Sequence, residues 1–274
     1  MAAGDFIIPE VYADLAQASF TGKVKVLGSA AVMDDNTLVG QPGETITFPK
    51  WGALGELDDL TTGVAMVPTE LEQTESSATI KEAGKAVVIN DRDKLTALGN
   101  PQSEAVRQFG VLASRKVDGD LITEARTAAG RLTVTTTAGT TTFGLAALNQ
   151  GFALFGDECE PEEFAGIYIN PGQLNEAFAD ANFIDASKAG DNSAVRRGVV
   201  GLLRGVPVYV TSRVTEGAYL LMKQNVLGAL TKRAPLVETD RDVLKRQDVV
   251  TTNIHYAVKA ITPSGIAHVT LSAT

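Results

Sequence analysis

Residues 40–51 read Gly40-Gln41-Pro42-Gly43-Glu44-Thr45-Ile46-Thr47-Phe48-Pro49-Lys50-Trp51, a turn followed by a strand that ends on an aromatic side chain. The glycines and proline of 40–43 bend the chain. Thr45 to Phe48 then alternate polar and apolar, the period of two that a strand imposes. A tip of small and acidic residues follows, Gly52 to Gly63, and a return arm is expected over Val64 to Thr69. The chain comes back through Thr79-Ile80-Lys81 and Ala86-Val87-Val88-Ile89. Thr37 to Asn90 thus predicts a long hairpin with no core of its own. A lone two-stranded ribbon is marginal in water, and its open edges invite aggregation unless something covers them. A neighbouring subunit lying over the arm resolves both problems, which points to an assembling protein before an enzyme.

Working outward, composition narrows the classes. The 274 residues include 24 Lys and Arg against 33 Asp and Glu, a formal net charge of −9. The basic residues are dispersed, with no Lys/Arg run to hold phosphates, so sequence-specific nucleic-acid binding is not expected. An acidic surface can still lie beside nucleic acid without adsorbing it, because like charges repel within a Debye length of ~10 Å. The mean hydropathy of +0.05 is that of a soluble globular chain, and the length suffices to bury a sizeable core. No apolar run approaches the roughly 18–20 residues that span a bilayer. Met1-Ala2-Ala3-Gly4-Asp5 lacks the basic and apolar regions of a signal peptide. Cys159 is the sole cysteine, so no disulfide forms within the chain, which is compatible with a reducing compartment.

Before the hairpin, Pro9 stands at a plausible first helical position, and Val11, Tyr12, Leu15, Ala18 and Ser19 follow at helical spacing. This segment is either a helix on its own domain or an arm that docks on a neighbour. Val24, Val26 and Leu27 read as an extended piece. After the hairpin, Asn100-Pro101 with Glu104 is a helix start, an N-cap followed by proline at N1. Val106, Phe109/Gly110, Ala113, Val117, Leu121, Ala125 and Ala128 then form a narrow apolar seam, with Asp118 and Asp120 among the residues placed mostly off it. A helix from Gln102 to Ala129 would be about 40 Å long, a spine for its domain. The Thr-rich run Arg131 to Phe143 reads as strand. A compact mixed α/β unit is expected over Phe143 to Asp240, and a closing hairpin pairs Val249–Ile261 with Ile266–Leu271 across Thr262-Pro263-Ser264-Gly265.

Catalytic patterns are absent: no GxGxxG, P-loop, HExxH, GxSxG or CxxC occurs. His255 and His268 could face each other across the closing hairpin, but two ligands fall short of a zinc site. They read as polar strand residues. Asp157, Glu158, Glu160, Glu162 and Glu163 lack the spacing of a calcium loop and read as solvated. They also argue against Cys159 as a nucleophile, since neighbouring carboxylates raise a thiol pKa. No cofactor and no metal is expected. The arm carries the stronger signal. Phe48, Trp51, Leu54, Leu57, Leu60, Val64 and Met66 cannot all be buried in a thin ribbon, and aromatics so placed are commonly interface anchors. The plain alternative is a local cluster under the tip. Tip carboxylates Glu56, Asp58 and Asp59 could pair with Arg196, Arg197 or Arg204 of a neighbour, each exposed pair contributing at most about 1 kcal/mol.

The order of these elements, with Gly40-Gln41-Pro42-Gly43, Thr45, Phe48-Pro49-Lys50-Trp51, Ala83-Gly84-Lys85-Ala86-Val87 and a helix opening at Asn100-Pro101, resembles the major capsid proteins of tailed bacteriophages with the Hong Kong 97-like fold. The resemblance implies an α+β chain divided into an N-terminal arm (1–36), an extended E-loop hairpin (37–90), a peripheral domain with the spine helix (91–142), an axial domain (143–240) and a return to the peripheral domain (241–274). It implies self-assembly through hexamers and pentamers into an icosahedral head around double-stranded DNA, with no enzymatic activity and no membrane. Scaffolding, portal and decoration proteins are its possible partners, and the host bacterial cytoplasm its place of assembly. The expected subunit contacts are Phe48, Lys50, Trp51, Leu54, Leu57, Asp58, Leu60, Val64 and Met66 of the hairpin with Val11, Tyr12 and Leu15 of the arm. Two departures stand out. A scaffolding segment cleaved from this chain is not expected, with so few residues ahead of the arm. The Lys–Asn crosslinks of some relatives would need Lys50, for which no partner asparagine or carboxylate is identified, so it reads as a solvated lysine. Two other readings are a nanocompartment of the same fold that holds an enzyme, and a soluble enzyme with its site in 143–240.

Overall fold

The computed structural model describes Ala16, Phe20 and residues 25–35, 42–52, 54, 59, 65–66, 68–179 and 202–272. Val11, Tyr12 and Leu15 of the arm lie outside them, as do Glu56, Leu57, Asp58, Leu60 and Val64 of the hairpin and Arg196 and Arg197. In chain order the described elements are β1 (Val32–Asp34), β2 (Thr45–Trp51), β3 (Gln73–Thr79), β4 (Lys81–Asn90), α1 (Asp91–Thr96), α2 (Pro101–Thr127) and β5 (Leu132–Thr135). Then come α3 (Leu145–Ala153), β6 (Phe164–Ile169), α4 (Pro171–Ala179), β7 (Leu202–Leu203), β8 (Val206–Val210) and β9 (Ala218–Lys223). The chain closes with β10 (Leu227–Asp242), β11 (Gln247–Ala260) and β12 (Ile266–Thr270).

Helix α2 forms as its local sequence dictates. The Asn100 side chain accepts from the Gln102 and Ser103 N–H groups at 3.0 and 3.3 Å, and Pro101 at N1 needs no hydrogen bond there. Its 27 residues extend about 40 Å. Val106, Phe109, Val117, Leu121 and Ala125 are buried, and so are Ser114, Ile122 and Asp118, the last of which was placed off the seam. Gly110, Ser114 and Ala125 keep the packed face low, so both sheets approach it closely. Val117, Leu121, Ile122 and Ala125 share one core with Tyr168, Leu220 and Met222 on one side and Ala229, Ile254 and Tyr256 on the other.

The sheets differ from expectation in membership. One sheet has the order β1-β10-β11-β4, a second β5-β12-β9-β6-β8-β7, and β2-β3 stand apart as a ribbon. The expected closing hairpin does not form: β11 pairs antiparallel with β10 and β4, while β12 lies between β5 and β9. A 3-10 turn at Pro263–Gly265 carries the chain from one sheet to the other. It packs so tightly that a Cβ on Gly265 would come within 2.5 Å of Val226 Cγ1. The α/β unit expected over 143–240 therefore gains β5 and β12 and gives up β10, which belongs to the four-stranded sheet. Pro235 sits at the irregularity between Arg233 and Leu236 in the β10–β11 ladder, where its missing N–H is not needed.

Where the two sheets meet, the C-terminal part of the arm is tied down. Residues 25–31 are bends and turns, not the extended piece expected. Asp118 Oδ2 accepts from the Lys25 N–H at 2.8 Å, and Oδ1 from those of Val26 and Leu27 at 3.2 and 3.1 Å. Burial pushes the Asp118 carboxyl above its ordinary range, opposed by these three donors and the nearby Lys25 charge. Tyr168 OH donates to Ser29 Oγ, which donates to the Val26 carbonyl, both at 2.6 Å. The segment then feeds β1 into its parallel pairing with β10.

The hairpin is shorter and better supported than expected. Its return strand is β3 and not 64–69, of which Ala65, Met66, Pro68 and Thr69 carry no strand. β2 pairs from Thr45↔Thr79 to Trp51↔Gln73. Ile46, Phe48 and Ala78 pack on Leu230, Ala257 and Ile261 of the chain's own body. Phe48, expected at a subunit contact, is thus 1% exposed. Its ring occupies the space that Gly228 leaves, where a Cβ would lie 2.7 Å from ring carbons. Ser76 Oγ donates to the Ala260 carbonyl at 3.0 Å, fastening the returning strand as well. Only Ile80 separates β3 from β4, so one continuous stretch leaves the ribbon and joins the sheet.

Two outcomes check this packing. Phe48→Ala is expected to lower stability by about 3–4 kcal/mol in denaturant unfolding, the cost of an emptied core site; a loss below about 1 kcal/mol would refute the burial of the ring. Asp118→Ala, which strands the buried Val26 N–H and the part-buried N–H groups of Lys25 and Leu27, is expected to cost about 3 kcal/mol, and Asp118→Asn about 1 kcal/mol because two of the three donors keep an acceptor.

Candidate assembly surfaces

Strand alternation decides what β2 buries and what it presents. Ile46 and Phe48 point at the body with Lys50 half-buried beyond them, while Thr45, Thr47, Pro49 and Trp51 face out. Trp51 is 60% exposed, Leu54 63% and Met66 73%, with Leu71 more than half exposed. Above Phe48 the ribbon has apolar side chains and no further core among the described residues. Lys50 forms no ion pair among them. Phe48 is thus buried on the body at the ribbon's root, while among the described residues no cluster under the tip covers Trp51.

A second apolar surface was missed in the sequence. At the far end of the four-stranded sheet, the β10–β11 turn and the segment from β4 into α2 display Val243, Leu244, Leu95 and Leu98, with Leu244 96% exposed. The scaffold beneath them is rigidly paired. Arg241 donates to both Asp91 oxygens at 3.0 and 2.8 Å and to Asp248 at 3.0 Å. Lys94 and Gln102 also donate to Asp248, and the Asp91 N–H donates to the Arg246 carbonyl at 3.1 Å. The Arg241 guanidinium holds the Asp91 carboxyl below the usual range. Asp242 accepts from the Lys245 N–H at 3.0 Å, closing the turn. The signal available in the sequence was Val243-Leu244 flanked by charges on both sides: a turn of that kind has no reason to be apolar unless something covers it.

The remaining side chains singled out in the sequence do not converge. Arg204 donates to Asn149 Oδ1 at 2.9 Å and lies 4.8 Å over the Phe152 ring, so it is engaged within its own chain. In the acidic loop, Glu158 and Glu163 pair with Lys223 at 3.2 and 2.7 Å. Among the described residues no group of three or more His, Cys, Asp or Glu is placed to hold a metal. His255 lies in β11 with Glu82 at 3.7 Å, and His268 lies in β12, so the two histidines sit in different sheets. Burial, and then the charges of Arg131 and Arg126, hold the His268 imidazole below its ordinary range.

Comparisons with known proteins agree on a class. A family described as phage capsid protein matches residues 72–269. The major capsid protein of Staphylococcus phage phiMR11 is 33% identical over 254 residues, covering 91% of this chain and 88% of that protein. Among solved structures, the capsid of Helicobacter pylori bacteriophage KHP30 superposes with a TM-score of 0.71 at 10% identity, covering 99% of this chain and 93% of the other. The capsid of cyanophage P-SCSP1u gives 0.67 at 13% identity, with 89% and 86% covered. At such identities the two structures speak to the fold alone.

His268 supplies a pH test. Its folded pKa lies below the unfolded value of about 6.5, so the unfolded chain binds the proton first. Stability is full above that value and is lost as pH falls through it toward the folded pKa. His268→Gln is expected to flatten the fall in melting temperature between about pH 7 and 5; an unchanged slope would refute the assignment.

Proposed function

Since this chain belongs to the phage capsid protein family and is a major capsid protein of a tailed phage, with the Hong Kong 97-like fold, we propose that the exposed ends of its ribbon and its four-stranded sheet are the surfaces by which copies join. The protein is a structural component of the virion, assembling with itself into the capsid shell, and not an enzyme. The observation that carries the proposal is the break in the ribbon at Phe48: below it the apolar side chains are buried at home, above it Trp51, Leu54 and Met66 are exposed.

In this reading the distal hairpin, with Lys50, Leu57, Asp58, Leu60 and Val64, lies across a neighbouring subunit. Val11, Tyr12 and Leu15 of the arm do the same. The four-stranded sheet with α2 serves as the peripheral domain, and the six-stranded sheet with α3 and α4 as the axial domain that closes hexamers and pentamers. A buried Trp or Leu anchor contributes about 2 kcal/mol or more when truncation is the measure. Repeated on every copy, such contacts make a closed shell cooperative although each is weak. The shell encloses double-stranded DNA without reading its sequence, and scaffolding and portal proteins join during assembly in the host cytoplasm.

Negative-stain microscopy with light scattering on the full chain tests this. Trp51→Ala and Leu244→Ser are each expected to reduce closed shells strongly while leaving the subunit's own melting within about 1 °C, since both side chains are exposed. Normal shells of unchanged heat stability from both variants would sink the proposal. The contents of wild-type shells separate a genome container from a nanocompartment holding protein.

A further inference from the structure

The solvent face of α2 reverses the charge balance of the chain. Arg115 and Arg126 lie eleven residues apart, just over three full turns, so they share one face about 16 Å apart along the axis. Arg115 and Lys116 line a polar cleft of about 380 Å³ together with Leu112, Gly119, Asp120, Thr123, Ser212 and Arg213. The Arg213 stem crosses Gly119, where a Cβ would lie 3.6 Å from its Cδ, so the loop cation is drawn onto the helix. Two turns on, Arg126 donates to Thr215 Oγ1 of the same loop at 2.7 Å.

Of the carboxylates nearby, Asp120 pairs within the stripe and the others are committed elsewhere. Asp120 takes the Lys116 ammonium at 2.9 Å and the Tyr256 hydroxyl at 2.7 Å. Glu104 pairs with Arg107 at 2.7 Å and Glu124 with Lys259 at 3.2 Å. Asp118 is buried. Glu216 turns toward Gly172 at the start of α4. Neither the Arg115 nor the Arg213 guanidinium meets a carboxylate among the described residues. In a chain of net charge −9, four cations thus share one face with one carboxylate.

We propose that this stripe, Arg115, Lys116, Arg126 and Arg213, bears on the phosphate backbone of double-stranded DNA, an inference that rests on the reading of the shell as a DNA container. Guanidinium groups match phosphate oxygens in a planar fork, and phosphate contacts carry no sequence information. The stripe is longer than the ~10 Å Debye length, so the distant acidic surface does not cancel it. An acidic protein segment is the less fitting occupant. Apart from Leu112 the face offers no apolar or aromatic anchor, and protein interfaces draw most of their affinity from such anchors. DNA binds through charge alone. Four cations per subunit give weak adhesion that high salt removes, and repetition over the shell sums it.

The test is a titration of a short labelled duplex with the unassembled full-length chain, followed by fluorescence anisotropy at several low salt concentrations. Arg115→Glu with Arg213→Glu is expected to weaken binding about tenfold or more, and to reduce the slope of log affinity against log salt by about 2, near 0.9 for each phosphate no longer neutralised. Arg92→Glu, an exposed arginine on α1, is the control and leaves both unchanged. If charge reversal prevents folding, Arg115→Gln with Arg213→Gln is expected to give the same fall in slope. Wild-type and stripe variants that bind alike, or a wild type that does not bind at low salt, would overturn the inference. So would polyglutamate competing as well as DNA at equal charge, which would assign the stripe to an acidic protein segment. The absorbance of purified shells tells the two possible failures apart: shells lacking DNA overturn this inference together with the reading beneath it. DNA-filled shells beside an unaltered titration overturn the inference alone.

Discussion

The carboxylate of Asp118 and the three backbone N–H groups of Lys25, Val26 and Leu27 form the joint on which this fold turns. Asp118 lies midway along α2, and the segment it grips passes between that helix and Tyr168 of the six-stranded sheet before entering β1 of the four-stranded sheet. Desolvation of a carboxylate is unfavourable, and three donors offset most of it. A hydrophobic residue there would pack as well against its neighbours but would leave the 25–27 N–H groups unpaired, and with them the course of the chain undetermined. One polar residue thereby sets the relation of the arm to both sheets.

A rigid body of this kind lets the ribbon project without dissolving. β3 and β4 are nearly one strand, and Ile46, Phe48 and Ala78 clamp its root over Gly228. The direction of the ribbon is therefore set by the body, while Trp51, Leu54 and Met66 beyond its root stay exposed, where the proposed reading places other copies. The far end of the four-stranded sheet follows the same plan: an ion-paired scaffold around Arg241 with Val243 and Leu244 held out above it. Trp51 in β2 and Val243 and Leu244 on the β10–β11 turn are exposed on hydrogen-bonded backbone, so covering them as proposed would cost little conformational entropy.

Charge is also partitioned by structure. The acidic excess gathers on loops such as 157–163, whereas the outer face of α2 collects arginines from segments as distant in the chain as Arg115 and Arg213. The basic residues are dispersed along the chain, yet the fold brings several of them to one face of α2. A charge patch is made by side chains that meet in space, and the α2 stripe draws on a helix and on the loop after β8.

The elements governed by neighbours in sequence were legible there. The Asn100 cap, the length of α2 and the alternation of β2 all follow from contacts within a few residues, which the sequence states directly. So did the class of the protein, because a ribbon bearing Trp51 and Met66 has no way to bury them alone. What only the tertiary structure decided was partnership: that β12 leaves β11 for β5 and β9, that β3 and not 64–69 closes the ribbon, that Phe48 stays home, and that Asp118 turns inward. Each depends on which distant segment arrives opposite a given residue, and hydrogen-bonding capacity and hydrophobicity name what a side chain needs without naming the residue that will supply it.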